Sequence, residues 1–186
     1  MRRGIIIAAA AAALLAGCMK QAVQSTYDKQ ETTISSFVDN ILKSDTTATV
    51  TYNHGTVRVT LHDTLSREGA LADSLRFGGT VSFYYAGYVL SGSSVSSSNM
   101  FATNRAQSAS DAGWAVSDST IFEIATIPVD DSLIPGLRYG LEGVQGQDEC
   151  YILFSGEYGW GRSAQGTIPA KSALAYHIWV NSIDND

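Results

Sequence analysis

The chain has 186 residues, a formal net charge of −6 and 45% hydrophobic residues. That is ample apolar material for one packed domain, and the acidic balance excludes the basic face that a nucleic-acid partner requires. Cys18 and Cys150 are the two cysteines, too few for a disulfide framework.

In chain order, Arg2 and Arg3 precede an apolar run from Ile5 to Leu15, followed by Leu15-Ala16-Gly17-Cys18. A basic end, a short apolar core and small residues before a cut site make a secretory signal. The run falls short of the ~20 apolar residues of a membrane-spanning helix. Leu15–Cys18 resembles the lipobox of bacterial lipoproteins, which implies cleavage after residue 17 and a lipid on the Cys18 thiol. Losing Arg2 and Arg3 would take the net charge from −6 to −8. By the sorting habits of such lipoproteins, Met19 in place of an Asp after Cys18 implies anchoring at the outer membrane, facing the periplasm. Cys150 then has no partner, and within the apolar segment Cys150–Phe154 it reads as a buried small hydrophobe.

Residues 18–27 are polar and read as a lipidated tether. Ile34, Phe37, Val38, Ile41 and Leu42 put one apolar stripe on a helix over Asp28–Lys43, within a segment 28–45. Thr47–Tyr52 and Thr56–His62 alternate with Thr and Val, as strands do, with Gly55 as the turn between them. Gly69–Arg76 is a polar connection. Thr80–Leu90 is a long strand rich in aromatics, and Ser91–Asn99 is a Ser/Gly loop. Residues 103–119 are polar and irregular, and Thr120–Ile127 is strand-like. Leu133–Val144 is a short helix whose Pro135 suits a first turn. Glu149–Ser155 is a strand, Gly156–Ala170 a Gly-rich loop and Leu174–Ile183 a closing strand. Many strands, no βαβ alternation and one late helix predict an α+β domain over 46–186 with an antiparallel sheet.

The chemistry-bearing residues exclude several enzyme classes. His54, His62 and His177 lack metal-ligand spacing. No G-x-S-x-G elbow or P-loop is present. Gly159–Ala164 matches G-x-G-x-x-A but has no helix after it. Asp130-Asp131 reads as a loop or helix-start feature. No metal and no cofactor is expected.

Six motifs in order carry a resemblance to the FKBP-type peptidyl-prolyl cis-trans isomerases, over residues 49–183. They are Val81–Gly87 (V-x-V-x-Y-T-G), Phe101–Asn104 (F-D-S-S), Leu133–Leu137 (V-I-x-G-W/L), Leu141–Gln147 (the turn after the helix), Glu157–Gly161 (x-Y-A-Y-G) and Gly166–Tyr176 (G-x-I-P-P-N-x-x-L-x-F). The resemblance implies a five- to six-stranded curled sheet wrapped around one short helix. It implies a pocket of Tyr85, Phe101, Phe122, Leu133, Ile134, Leu137, Trp160, Ile168 and Tyr176, with Ile121 and Ile124 also fitting the place of Phe122. In it Leu137 is the floor and Phe101, Phe122 and Tyr176 are walls. Tyr85 and Trp160 border the rim, and Ile134 offers its backbone N–H to a substrate carbonyl. The implied partners are proline-containing polypeptides, with the membrane engaged through the lipid on Cys18. Three positions depart from the motifs: Ala102 stands where the family has Asp, Trp160 where it usually has Tyr, and Leu137 where some members have Trp. The chemistry suits such a pocket. Amide resonance opposes rotation about X–Pro by ~18–20 kcal/mol. A dry apolar site disfavours the charge-separated planar amide and needs no nucleophile. A binding module that holds proline-containing segments without turning them over would use the same pocket.

Overall fold

The computed structural model describes the backbone of residues 2–62, 73–115 and 119–186, and the side chains of these except 2–20, 62, 119 and 120. The Cys18 side chain and residues 69–72 of the Gly69–Arg76 connection lie outside the described residues. Helix α1 (Arg2–Ser44) leads into strands β1 (Thr49–Asn53), β2 (Thr56–His62) and β3 (Thr80–Val89). Then come β4 (Met100–Thr103), helix α2 (Ala106–Asp111), β5 (Ala125–Pro128), helix α3 (Pro135–Leu141), β6 (Glu149–Phe154) and β7 (Leu174–Asp184).

The strands form one seven-stranded sheet in the order β1-β2-β6-β7-β3-β4, with β5 also on β3. Every pairing is antiparallel. β7 pairs with β3 along its length, from Thr80↔Asp184 to Val89↔Leu174. β4 and β5 therefore divide the other edge, β5 beside Thr80–Phe83 and β4 beside Ala86–Tyr88. This splitting takes the sheet to seven strands, one or two more than the sequence predicts.

Alternation along the strands makes two cores. Val81, Phe83, Cys150, Ile152, Phe154, Leu174, Tyr176, Ile178 and Val180 face inward, where α3 packs. Leu153, Ala175, Ala86, Tyr88, Val57 and Val59 face outward, where α1 places Ile34, Phe37 and Val38. The stripe predicted on α1 is thus its docking face, except that Leu42 is exposed. Further along the outer face, His177 Nε2–H donates to Glu149 Oε1 at 2.9 Å. Its ring lies between Tyr151 and Trp179, at centroid distances of 4.1 and 3.8 Å.

The structure corrects the sequence reading in four places. Residues 21–27 are helical, and Tyr27 is buried against the domain, so this stretch is part of α1 rather than a loose tether. Thr120–Ile127 is not one strand: a 3₁₀ turn (Ser119–Phe122) precedes β5. The polar stretch 103–119 contains the short α2. The late helix is seven residues, Pro135–Leu141, and stops short of Val144.

Candidate functional site

The site is built where α3 meets β6 and β7. Pro135 opens α3 at its first position, where a missing N–H costs nothing. Gly136 and Gly140 then let the helix backbone lie directly on β6. A Cβ on Gly136 would stand 2.2 Å from the Phe154 ring, and one on Gly140 would stand 2.1 Å from Ile152. At the far end Arg58, buried in β2, caps the helix. Its Nη1 donates to Gly140 O (3.0 Å) and Glu142 O (2.6 Å), and its Nη2 to Gly143 O (3.3 Å). These are the carbonyls a helix C-terminus leaves unpaired, and a cation there also meets the negative end of the peptide dipoles.

Eight of the nine residues predicted for the site share the inner face: Ile168 and Tyr176 within the core, and Tyr85, Phe101, Leu133, Ile134, Leu137 and Trp160 half-buried against it. Tyr176 is the centre. Its ring stacks on Phe154 (6.0 Å, 18°), meets Phe101 edge-on (5.7 Å, 80°) and lies 6.3 Å from Tyr85. Phe101 in turn meets Trp160 edge-on at 6.5 Å. These are attractive aromatic geometries. Gly87 makes room for them, since a Cβ there would fall 2.6 Å from Phe101. Beside Phe101 a cleft of about 240 Å³ is lined by Ser98, Asn99, Thr167 and Pro169, which brings the Ser-rich loop to the edge of the site.

Phe122 is the exception. It ends the 3₁₀ turn and is not among the residues packed on this core; Ala125 and Ile127 of β5 are. Ile121 and Ile124, the other residues that fit its place, are exposed. The reason is Asn104, whose side chain fills the gap between β4 and β5. It accepts from Tyr85 N–H (2.6 Å) and donates to Phe83 O (3.1 Å) and Glu123 O (3.0 Å). Glu123 is thereby bonded to a side chain rather than to a strand, and the ladder begins only at Ala125.

The polar atoms of the site are donors. The Ile134 N–H, the Trp160 indole N–H and the hydroxyls of Tyr85 and Tyr176 make no hydrogen bond among the described residues. Burial pushes the Tyr85 and Tyr176 phenols above their ordinary range, Tyr85 adding to the effect at Tyr176, so both remain O–H donors at neutral pH. Ala102 supplies no carboxylate beside Phe101. A half-buried apolar cluster with unpaired donors at its edge suits a ligand that is apolar in body and carries carbonyl groups.

Loop 156–171 carries Trp160 and Ile168. Its Tyr158 carbonyl accepts from Gly136 N–H at 2.8 Å, which joins the loop to the start of α3. Sequence reasoning missed Arg58 and Asn104, because their partners are backbone groups distant along the chain.

No family model matches the sequence, and no curated protein matches it either. Solved structures do match the architecture. The three FKBP domains of wheat FKBP73 align with a TM-score of 0.56 and 16% identity, over 75% of this chain and 52% of that one, so the chain spans about half of that structure. FkpA from Escherichia coli aligns at 0.51 and 16%, over 96% of this chain and 71% of that one. A peptidyl-prolyl cis-trans isomerase from Pseudomonas syringae pv. tomato aligns at 0.56 and 13%, over 88% and 96%. The chain has the FKBP-like fold. At these identities the likeness fixes the architecture alone. The FKBP-like sheet and α3 carry the aromatic and aliphatic cluster described above, and its residues are this chain's own.

Proposed function

We propose that this FKBP-like chain is a peptidyl-prolyl cis-trans isomerase that assists exported proteins at the cell envelope. The observation that carries the reading is the half-buried cluster itself: the Phe101, Trp160 and Tyr176 rings and Leu137, with four unpaired donors, none of these residues bringing a carboxylate or thiol. A proline ring seated among these side chains leaves water behind. The twisted amide, which has lost its charge separation, is favoured there over the planar one. Ile134 N–H donates to a substrate carbonyl and fixes the peptide while the bond turns. The test is a protease-coupled assay on an Ala-Leu-Pro-Phe peptide. The chain accelerates cis-to-trans exchange, and Phe101→Ala lowers kcat/KM by about 10- to 100-fold, the range expected when an aromatic wall and its contacts are lost. No acceleration at micromolar protein refutes the enzymatic reading.

Ala102 favours a second reading, a module that holds proline-containing segments without turning them over. In that case Phe101→Ala weakens peptide binding and there is no rate to lose.

The envelope setting rests on Leu15–Cys18. In this proposal the mature chain begins at a lipidated Cys18 and is held at the outer membrane, facing the periplasm. With Tyr27 docked, residues 18–26 span about 13 Å as helix, so the domain would sit close to the lipid surface. Incorporation of labelled fatty acid that disappears in Cys18→Ser tests the anchor.

A further inference from the structure

Gln30 lies on α1, outside the aromatic cluster, yet it joins the two feet of the loop that carries Trp160 and Ile168. Its Oε1 accepts from Gly156 N–H at 2.9 Å, and its Nε2 donates to Lys171 O at 2.6 Å. Lys171 is an unusual foot. It sits at φ +62°, the left-handed region that costs a residue with a side chain free energy unless its surroundings enforce it. Both of its peptide groups are tied: its N–H donates to Gly161 O at 2.6 Å, and its carbonyl receives Gln30. The feet are also in close contact, since a Cβ on Gly156 would fall 2.6 Å from the Lys171 backbone. Between them Gly161 N–H donates to Gly156 O (2.9 Å), and Gln165 and Ile168 bond each other in both directions. The loop is a closed figure with Trp160 and Ile168 on its inner side, and its only described side-chain clasp from α1 is Gln30.

We infer that Gln30 is a positioning residue for the pocket: α1 holds loop 156–171 in its strained closed form and so fixes Trp160 and Ile168 against Phe101 and the core. The role of the pocket in peptide binding rests on the proposed isomerase reading, whereas the clasp itself does not. Gln30 touches no substrate. Its loss leaves the sheet and both cores intact and lets the Lys171 foot relax toward ordinary backbone conformations.

The test is limited proteolysis of the full chain with trypsin, followed by mass, beside steady-state kinetics on a prolyl peptide. Arg162 is exposed within the loop, whereas Arg58 is buried in β2 and reports global unfolding. In Gln30→Ala, cleavage after Arg162 accelerates about tenfold or more, as expected for removing two hydrogen bonds. Cleavage after Arg58 stays at the wild-type rate. Gln30→Glu keeps the acceptor for Gly156 but offers Lys171 no donor, and gives an intermediate rate. KM rises severalfold while kcat changes less. Cleavage after Arg162 within twofold of wild type overturns the clasp. Faster cleavage with an unchanged KM overturns its role in the pocket. A chain without isomerase activity whose loop still loosens in Gln30→Ala supports the clasp and overturns the enzymatic reading alone.

Discussion

Gly136→Ala tests the claim that α3 rests directly on the sheet. The added Cβ would stand 2.2 Å from Phe154 Cγ and 2.5 Å from both Cδ atoms. Carbon atoms in contact prefer roughly 3.5–4.0 Å, so the shortfall exceeds 1 Å. Phe154 has nowhere to go: it is fully buried, and its ring is stacked on Tyr176. The helix must lift instead, which strains the Gly136 N–H to Tyr158 carbonyl bond of 2.8 Å. Overpacking of this kind costs about 3 kcal/mol, the upper part of its usual range. Alanine returns up to about 1 kcal/mol as the better helix former. The net loss is about 2 kcal/mol, or a fall in Tm of about 4–8 °C for a chain of this size. Thermal unfolding followed by circular dichroism reads it. Gly92→Ala, where a Cβ meets nothing within 4 Å, is the matched control and leaves Tm unchanged. A Gly136→Ala protein that melts at or above wild type would refute the direct contact and the geometry of the site built on it.

Two further outcomes follow from buried polar groups. Arg58→Met leaves the carbonyls of Gly140, Glu142 and Gly143 without their donor and destabilises the fold by about 3 kcal/mol; denaturant titration would show a lower midpoint at unchanged slope, and a loss under 1 kcal/mol would mean that α3 does not depend on this cap. His177 is held neutral, its pKa lowered to about 4 by burial, which outweighs the opposing pull of Glu149. The unfolded chain takes up this proton below about 6.5 and the folded chain only near 4, so the stability is present above 6.5 and fades as pH falls. Between pH 7 and 5 the wild type therefore loses about 2 kcal/mol more than His177→Gln, and parallel stability curves for the two proteins would contradict the assignment.

Most of the fold was legible because its signals are local. Val81, Phe83 and Tyr85 alternate with Ser82 and Tyr84, and the same period places Cys150, Ile152 and Phe154 on one face of β6. The stripe Ile34, Phe37, Val38 and Ile41 announces a docked helix without naming its partner. Eight of the nine residues predicted for the site lie together on the inner face for the same reason, each within a short motif. The separate position of Phe122 was not legible, because Ile121, Phe122 and Ile124 look like a continuation of β5. What ends the strand is the side chain of Asn104, bonded to Glu123 O from 19 residues away. Residues 21–27 failed similarly: their polarity reads as a tether, while the burial of Tyr27 that makes them helix depends on the folded domain.

These misses have a common physical cause, and it bears on where the site's geometry comes from. Arg58, Asn104 and Gln30 hold α3, the Tyr85 strand and the Trp160 loop, and nearly all their partners are peptide groups. Every residue but proline offers the same N–H and C=O, so a side chain that seeks one leaves no complementary residue to find in the sequence. The clustered residues, by contrast, are apolar side chains that pack on one another and on the core. A pocket of this kind is therefore specified in two ways. Its lining is written locally, in apolar side chains that each lie within a short motif. Its shape is held by a few polar side chains spanning long distances, which is why substitutions at Gln30 or Arg58, neither of which belongs to the cluster, are expected to be felt in it or in the helix beside it.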